Sequence, residues 1–392
     1  MLMDDKIWSQ LLDLQNKGQF VFYFVGGCVR DLCYGIHSRD IDIVFEGDTG
    51  ELFEHLSPSY EKKKIQRSNL STLTLYGDFF EFDFAAPRKD EYPKQNGMPK
   101  IIEATIEEDL TRRDFTVNTG YLEFSDLSIR WFKGESPDFK QIMSKMRYAH
   151  PMFEKDIQSK NLRILHDQSF EDDPSRLLRA IKYLTFLNLT LEPDSEKIFR
   201  KALKDRRINQ LDKARYMRIL WDYIHHDQAD QLMIKLDEYG VLPGPYEYLK
   251  LVNGTESMRS EWVCETFDSI VVIFVTMFYE FKEQLKTLGH LINWIVYEIE
   301  DILETIEMIS SGDVPKKRYQ TYKILYNKKI ESIVCANLLC GGSEWIRLYF
   351  AELSHVKVHL TGSDLNRIGI HEGPRIGELK EELLIYKLYE NH

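Results

Sequence analysis

Cysteine is scarce in this chain, five among 392 residues. Cys28, Cys33, Cys264, Cys335 and Cys340 are odd in number, and both close pairs are spaced CxxxxC with no histidine pair to complete either one. That pattern excludes a disulfide framework and the common zinc sites; reduced, packed thiols of a cytoplasmic protein are expected instead. Long apolar runs are missing too. The most apolar stretch, Ile270 to Phe278, falls far short of the ~20 residues that span a bilayer, so it reads as a buried core helix and no membrane partner is expected. Residues 1–20 carry Asp4, Asp5 and Asp13 and lack a basic segment followed by an apolar one, the pattern of a secretory leader. Overall positive charge is also lacking. The net charge is −12, which argues against a protein that coats nucleic acid through bulk charge.

What is present is apolar bulk, 43% of residues with 12% aromatic, enough for more than one core. At roughly 100–200 residues per domain the length suggests two to four domains. Charge is unevenly spread. Residues 1–60 hold ten acids against four bases, whereas residues 191–220 hold nine bases against five acids. Lys197, Arg200, Lys201, Lys204, Arg206 and Arg207 lie in the second span. Their two readings are a solvated helix surface and a local phosphate-binding face.

Periodicity divides the chain. Phe20 to Val25 reads as a buried strand, broken by Gly26-Gly27 before a helix at Val29 to Leu32. Asp40 to Phe45 alternates as a half-buried strand does, and Leu70 to Leu75 with Phe79 to Phe84 predicts a hairpin turned at Tyr76-Gly77-Asp78. Arg113 to Leu122 continues this α+β head, with a small mixed or antiparallel sheet. From Asp156 onward the period becomes 3.6. Helices are expected at 174–187, 194–204, 211–224, 227–239, 261–287, 291–309, 316–326, 329–339 and 342–353, with joints at Gly254 and 310–312. The division is a head at 1–138, a neck at 139–205, a helical body at 206–310 and a helical tail at 311–392.

Four segments carry candidate chemistry. Gly26-Gly27 between strand and helix offers backbone N–H groups at a helix N-terminus, a place for phosphate, with Arg30 as a charged clamp. Asp40 and Asp42, two apart on a strand, share one face while Ile41 turns inward. Such a pair is either a solvated strand face or a site for Mg²⁺, which prefers oxygen ligands. Asp83 on a neighbouring strand is a surface acid or a third carboxylate. Arg112, Arg113, Asp114 and Asn118 form either a salt-bridged cap or a nucleotide-binding set. In Asp172-Asp173-Pro174-Ser175-Arg176-Leu177-Leu178-Arg179, Asp173 reads first as an N-cap, and Arg176 and Arg179 share a helix face.

In this order, the motifs GGxVRD, DxD, RRDFTxN and DPxR, with IEEDL and LRxLH before the last two, resemble the class II tRNA nucleotidyltransferases. That family comprises CCA-adding and A-adding enzymes and bacterial poly(A) polymerases. The match covers residues 20–205, with a shorter echo at Gly362-Ser363-Asp364-Leu365 and Gly373-Pro374-Arg375-Ile376-Gly377. The resemblance implies that Asp40 and Asp42 hold Mg²⁺, with Asp83 as the third carboxylate. It implies that Gly26, Gly27 and Arg30 hold a triphosphate, and that Arg113, Asp114 and Asn118 place the nucleotide. Asp173, Arg176 and Arg179, assisted by Asp172, would read the base of ATP or CTP. Arg88 to Asn96 would match a loop that helps the switch from C to A. The later helices would hold the acceptor and TΨC arms of tRNA, and no stable protein partner is implied. Asp172-Asp173 stands where CCA-adding members have Glu-Asp, which leans toward addition of the terminal A. The alternatives are a poly(A) polymerase, disfavoured by the acidic end Glu381, Glu382 and Glu390, and a non-catalytic RNA-binding module of the same fold.

Overall fold

The structure, a computed structural model, describes residues 3–60, 65–67, 72–91, 100–226, 228–242, 251–253, 255–256, 269–279, 282, 285, 296–311, 315, 317–340, 344–356, 362–367 and 374–390. Expectations for Leu70, the 92–96 loop, Gly254, Cys264, Gly312, Gly373 and the flanks of the 261–287 and 291–309 helices lie outside those residues. The chain divides into two compact units, Met1–Gln210 and Leu211–His392.

The first unit is built on a seven-stranded sheet. Its strands are β1 (Val21–Val25), β2 (Asp40–Glu46), β3 (Ile65–Arg67), β4 (Thr72–Tyr76), β5 (Glu81–Ala85), β8 (Gly120–Glu123) and β9 (Arg147–Tyr148), in the order β3-β4-β5-β2-β1-β8-β9. Strands β6 (Arg88–Glu91) and β7 (Lys100–Glu103) form a separate antiparallel ribbon, and β10 (Asn161–Leu162) pairs with β11 (Thr190–Leu191). Within the main sheet only β2 and β5 run parallel, so it is mixed, as expected. Its helices are α1 (Met3–Asn16), α2 (Gly26–Cys33), α3 (Thr49–Leu56), α4 (Ile106–Thr111), α5 (Asp126–Phe132), α6 (Phe139–Lys145), α7 (Phe153–Gln158), α8 (Ser169–Asp172), α9 (Ser175–Phe186) and α10 (Pro193–Lys204).

Aromatics hold the head together. On α1, Ile7, Trp8, Leu11 and Leu14 recur at helical spacing and all are buried. Trp8 meets the rings of Phe24, Phe80, Phe82 and Phe124 at 4.6–6.0 Å between centroids. Asp4, only 3% exposed, accepts the main-chain N–H groups of Asp78, Phe79 and Phe80 at 3.0–3.4 Å and so clamps α1 to the β4–β5 turn. Gly77 has to be glycine there, because an added Cβ would lie 1.8 Å from Asp4 Oδ1.

One local expectation changes. Gly26-Gly27 ends β1 as expected, but α2 starts directly at Gly26, where φ is +66°, and not at Val29. Arg113 to Leu122 consists of a turn, a short 3₁₀ helix at Thr116–Asn118, and then β8.

The second unit is helical throughout its described residues. Helices run Lys213–Ile224, Ala229–Glu238, Ser269–Phe278, Val296–Ser311, Arg318–Leu325, Ile330–Cys340, Glu344–Leu348, Gly362–Arg367 and Pro374–Glu390, with a π turn at Tyr349–Leu353. The most apolar segment is the expected core helix. Val271, Phe274, Met277 and Phe278 are buried, and Phe274 meets Trp221 edge-on at 4.9 Å. Among the described residues no helix is long and apolar enough to cross a membrane. Cys28, Cys33, Cys335 and Cys340 are free thiols.

Candidate active site

The parallel pairing of β2 with β5 sets the register of the acids. Asp42 lies opposite Asp83, and Asp40 opposite Glu81. Ile41 and Ile43 are sunk in the core at 1% exposure, so strand alternation turns Asp40 and Asp42 to the other face. Asp40 and Asp83 are exposed and Asp42 is half-buried. The Thr74 hydroxyl donates to Asp83 Oδ1 at 2.5 Å. Burial pushes the Asp42 carboxyl up to about 6, and Asp83 and Asp40 add to the shift, while Arg113 and the Gly27 N–H oppose it. An acid repelled by two neighbouring acids is relieved by a cation, and an all-oxygen donor set suits a hard divalent ion. Asp40 and Asp42 therefore fit such an ion. Among the described residues no group of three or more His, Cys, Asp or Glu side chains is gathered as a metal cluster; Asp83 stands opposite Asp42 in register.

Gly26 and Gly27 pack against these groups. A Cβ on Gly26 would lie 3.4 Å from both Arg113 Nη1 and Asp42 Oδ2, and one on Gly27 would lie 3.6 Å from Arg30 Nη2 and Asp42 Oδ2. The glycines, the two arginines and Asp42 thus share one small volume.

From there a chain of charged contacts runs into α9. Arg30 donates to Asp31 Oδ1 at 2.7 Å and to Asn118 Oδ1 at 2.9 Å, and its guanidinium lies 4.5 Å from the Tyr183 ring centre. Asn118 donates to Asp114 Oδ1 at 2.8 Å, and Arg179 Nε donates to Asp114 Oδ2 at 2.7 Å. Arg179 also reaches Asp173 Oδ2 at 3.3 Å. Burial raises the Asp114 carboxyl, but Arg179 and Asn118 outweigh it and leave the group below its ordinary value.

The helix-start reading of Asp173 holds in detail. Its Oδ1 accepts from the Ser175 N–H at 3.0 Å and the Ser175 hydroxyl at 2.7 Å. Arg176 turns inward, 8% exposed, and donates to Ser169 Oγ at 2.7 Å and to the Arg112 carbonyl at 3.0 Å. Asp172 lies 3.7 Å from His166. The Nε atoms of Arg113 and Arg176 are buried and have no hydrogen-bond partner among the described residues.

The basic face is partly neutralised. Lys197 pairs with Asp194, Arg200 with Glu196 and Arg207 with Glu171, each at 2.6–2.9 Å. Lys201, Lys204 and Arg206 are exposed and make no ion pair among the described residues. This face is not gathered with the acids around Asp42.

Motif reading gave no role to Asp109 or Tyr183. Asp109, 1% exposed, holds Arg112 and Arg113 at 2.6 and 3.0 Å, and Tyr183 carries Arg30 on its ring. The signal for Asp109 was its i, i+3 and i, i+4 spacing to two arginines just past the end of α4. Tyr183 is one turn beyond Arg179 on α9, which places it on the face turned to the head.

Residues 22–143 match the family described as the poly A polymerase head domain. The A-adding tRNA nucleotidyltransferase of Geobacter sulfurreducens is 25% identical over 411 residues, covering 97% of this chain and 45% of that protein. That of Aquifex aeolicus is 24% identical over 388 residues, covering 92% and 44%. A solved apo structure of a CCA-adding enzyme superposes with a TM-score of 0.61 at 24% identity, covering 98% of this chain and 92% of that one. The chain is thus similar along most of its length to tRNA nucleotidyltransferases, and shares the fold of a CCA-adding enzyme. It spans about half the length of the first two relatives.

Proposed function

We propose that this chain transfers a nucleotide to the 3′ end of tRNA, that the donor is ATP or CTP, and that addition of the terminal A is its main activity. The observation that carries the reading is the shared volume of Asp42, Gly26, Gly27, Arg30 and Arg113, next to a second strand carboxylate at Asp40. Asp40 and Asp42 would hold Mg²⁺, which would lower the barrier to attack by the RNA hydroxyl and to departure of pyrophosphate. Asp83 stands beside them in register and completes the negative face.

The protein's own groups supply the rest. Arg30 and Arg113 present guanidinium donors to phosphate oxygens beside glycines that let the backbone come close. The unpartnered Nε atoms of Arg113 and Arg176 are buried donors in want of an acceptor, and a bound nucleotide offers oxygens and ring nitrogens. Asp114 and Asn118 place the sugar, while Asp173, Arg176 and Arg179, with Asp172, select the base. Two relatives named for A-addition support A over the full CCA triplet. Lys201, Lys204 and Arg206 are the free cations proposed to meet the RNA backbone, with Lys197, Arg200 and Arg207 joining when their acids yield. We retain the division into head, neck, body and tail at 138, 205 and 310, and a cytoplasmic location, as parts of this reading.

The test uses tRNA lacking the tail, ending in one C, or ending in CC, with Mg²⁺ and either CTP or ATP. Extension of the CC-ended tRNA alone, by one A, is expected. Extension of all three to CCA makes the chain a full CCA-adding enzyme, and long A tracts make it a poly(A) polymerase. Asp40→Ala and Asp42→Ala should each abolish incorporation while tRNA retention on a filter persists; turnover near that of the parent would sink the assignment of the pair.

A further inference from the structure

Asp109 sits where three parts of the site meet. Its Oδ1 accepts the Arg88 main-chain N–H at 3.2 Å, and Arg112 through Nε at 3.1 Å and Nη2 at 2.6 Å. Its Oδ2 accepts Arg113 Nη2 at 3.0 Å. Each partner leads to a different element. Arg88 opens the β6–β7 ribbon, the Arg112 carbonyl receives Arg176 from α9, and Arg113 reaches Gly26 and Asp42.

A carboxylate this deeply buried is a poor device for stability alone, because the cost of desolvating the charges cancels much of their attraction. What it fixes is direction. A guanidinium held by one nitrogen has its plane and its other nitrogen set. Arg113 Nη1 and Asp42 Oδ2 each lie 3.4 Å from the same point above Gly26, yet the two residues form no ion pair among the described residues. Without Asp109, nothing in the fork opposes collapse of Arg113 onto Asp42, its nearest remaining acid. A collapsed pair would neutralise the carboxylate that the cation needs.

We propose that Asp109 is a positioning residue that holds Arg113 off Asp42, keeping the Asp40–Asp42 pair open to a divalent cation and the Arg113 guanidinium open to phosphate. The inference rests on the nucleotidyl-transfer reading above. It assigns Asp109 no contact with nucleotide or cation.

The experiment is a double-variant cycle on the full chain, read by calorimetric binding of Mn²⁺ without nucleotide and by kcat for A-addition. Asp109→Asn keeps the shape and removes the charge. It should weaken Mn²⁺ binding by about tenfold, the scale of one charge-assisted hydrogen bond from Arg113 to Asp42, and lower kcat at least as much. Asp109→Asn combined with Arg113→Met should bind Mn²⁺ within about twofold of the parent, because the competing cation is gone. A merely structural role predicts no such recovery. Equal weakness in the single and double variants overturns the proposal, as does parental Mn²⁺ binding in Asp109→Asn. Should Asp109→Asn fail to fold by circular dichroism, Asp109→Glu, which keeps the charge but displaces the fork, replaces it with the same expected recovery. A parent chain that binds no Mn²⁺ and transfers no nucleotide overturns the functional reading itself; a parent active in both with no recovery overturns only the role of Asp109.

Discussion

Asp42 is the residue on which opposing demands meet. The folded chain holds its proton more tightly than the unfolded chain does, since its carboxyl is pushed from 3.8 up to about 6. Ionising it therefore costs stability as pH rises through about 6, and the cost fades as pH falls toward 4. In metal-free protein, Asp42→Asn should gain about 1–3 kcal/mol at pH 8 and nothing near pH 3.5, checked by urea denaturation across that range. A variant no more stable than its parent at pH 8 would show that burial and the neighbouring acids do not disfavour the ionised Asp42. Saturating Mg²⁺ should stabilise the parent and leave Asp42→Asn nearly unchanged. Strain of this kind at the proposed metal-holding residue is the usual exchange of stability for chemistry.

Among the elements, α1 and α9 do most to fix the site's surroundings. The first is held at one end by Asp4 on three N–H groups of the β4–β5 turn. That turn sets where β5, and so Asp83, lies against β2. Asp4→Ala should cost about 2 kcal/mol in thermal or urea unfolding, more than an average surface change, because buried N–H groups lose a charged acceptor. The second is tied to the turn before Thr116–Asn118 through Arg179 on Asp114, and Arg179 also reaches Asp173 just before α9. Arg179→Met should blur the choice between ATP and CTP by about tenfold or more while leaving the fold intact, measured as the ratio of the two kcat/KM values. Unchanged selectivity would reduce Arg179 to a structural bracket. The second was visible in the sequence because its apolar spacing is regular, and β2 because it alternates, whereas α1 was not read as a helix. The 3₁₀ turn at Thr116–Asn118 was not, since Phe115 and Val117 suggest a strand until the Asn118 contacts with Arg30 and Asp114 bend the chain.

At the scale of the molecule, Met1–Gln210 holds every acid and arginine of the site. That segment alone should unfold cooperatively and bind ATP within a fewfold of the whole chain, by calorimetry, and should keep the tRNA affinity supplied by Lys201, Lys204 and Arg206 while losing what the helices after Gln210 add. Equal tRNA affinity would show that the second unit adds no RNA contact. The sequence made Asp40, Asp42 and the glycines legible because their chemistry depends on local spacing. It hid Asp109 and Tyr183 because their contacts depend on what the fold brings to them, and it left open which way Arg176 turns, which the structure shows to be inward. The last of these has a consequence for genetics. Arg176 grips the main-chain oxygen of Arg112, an atom that every amino acid at position 112 retains. A scan of substitutions at 112 would record the loss of its guanidinium contacts, with Asp109 and the Arg88 carbonyl among them, and the joint to α9 would stay invisible from that side. Variation can reach it only through position 176, so half of the contact is shielded from mutation while the other half hangs on a single codon.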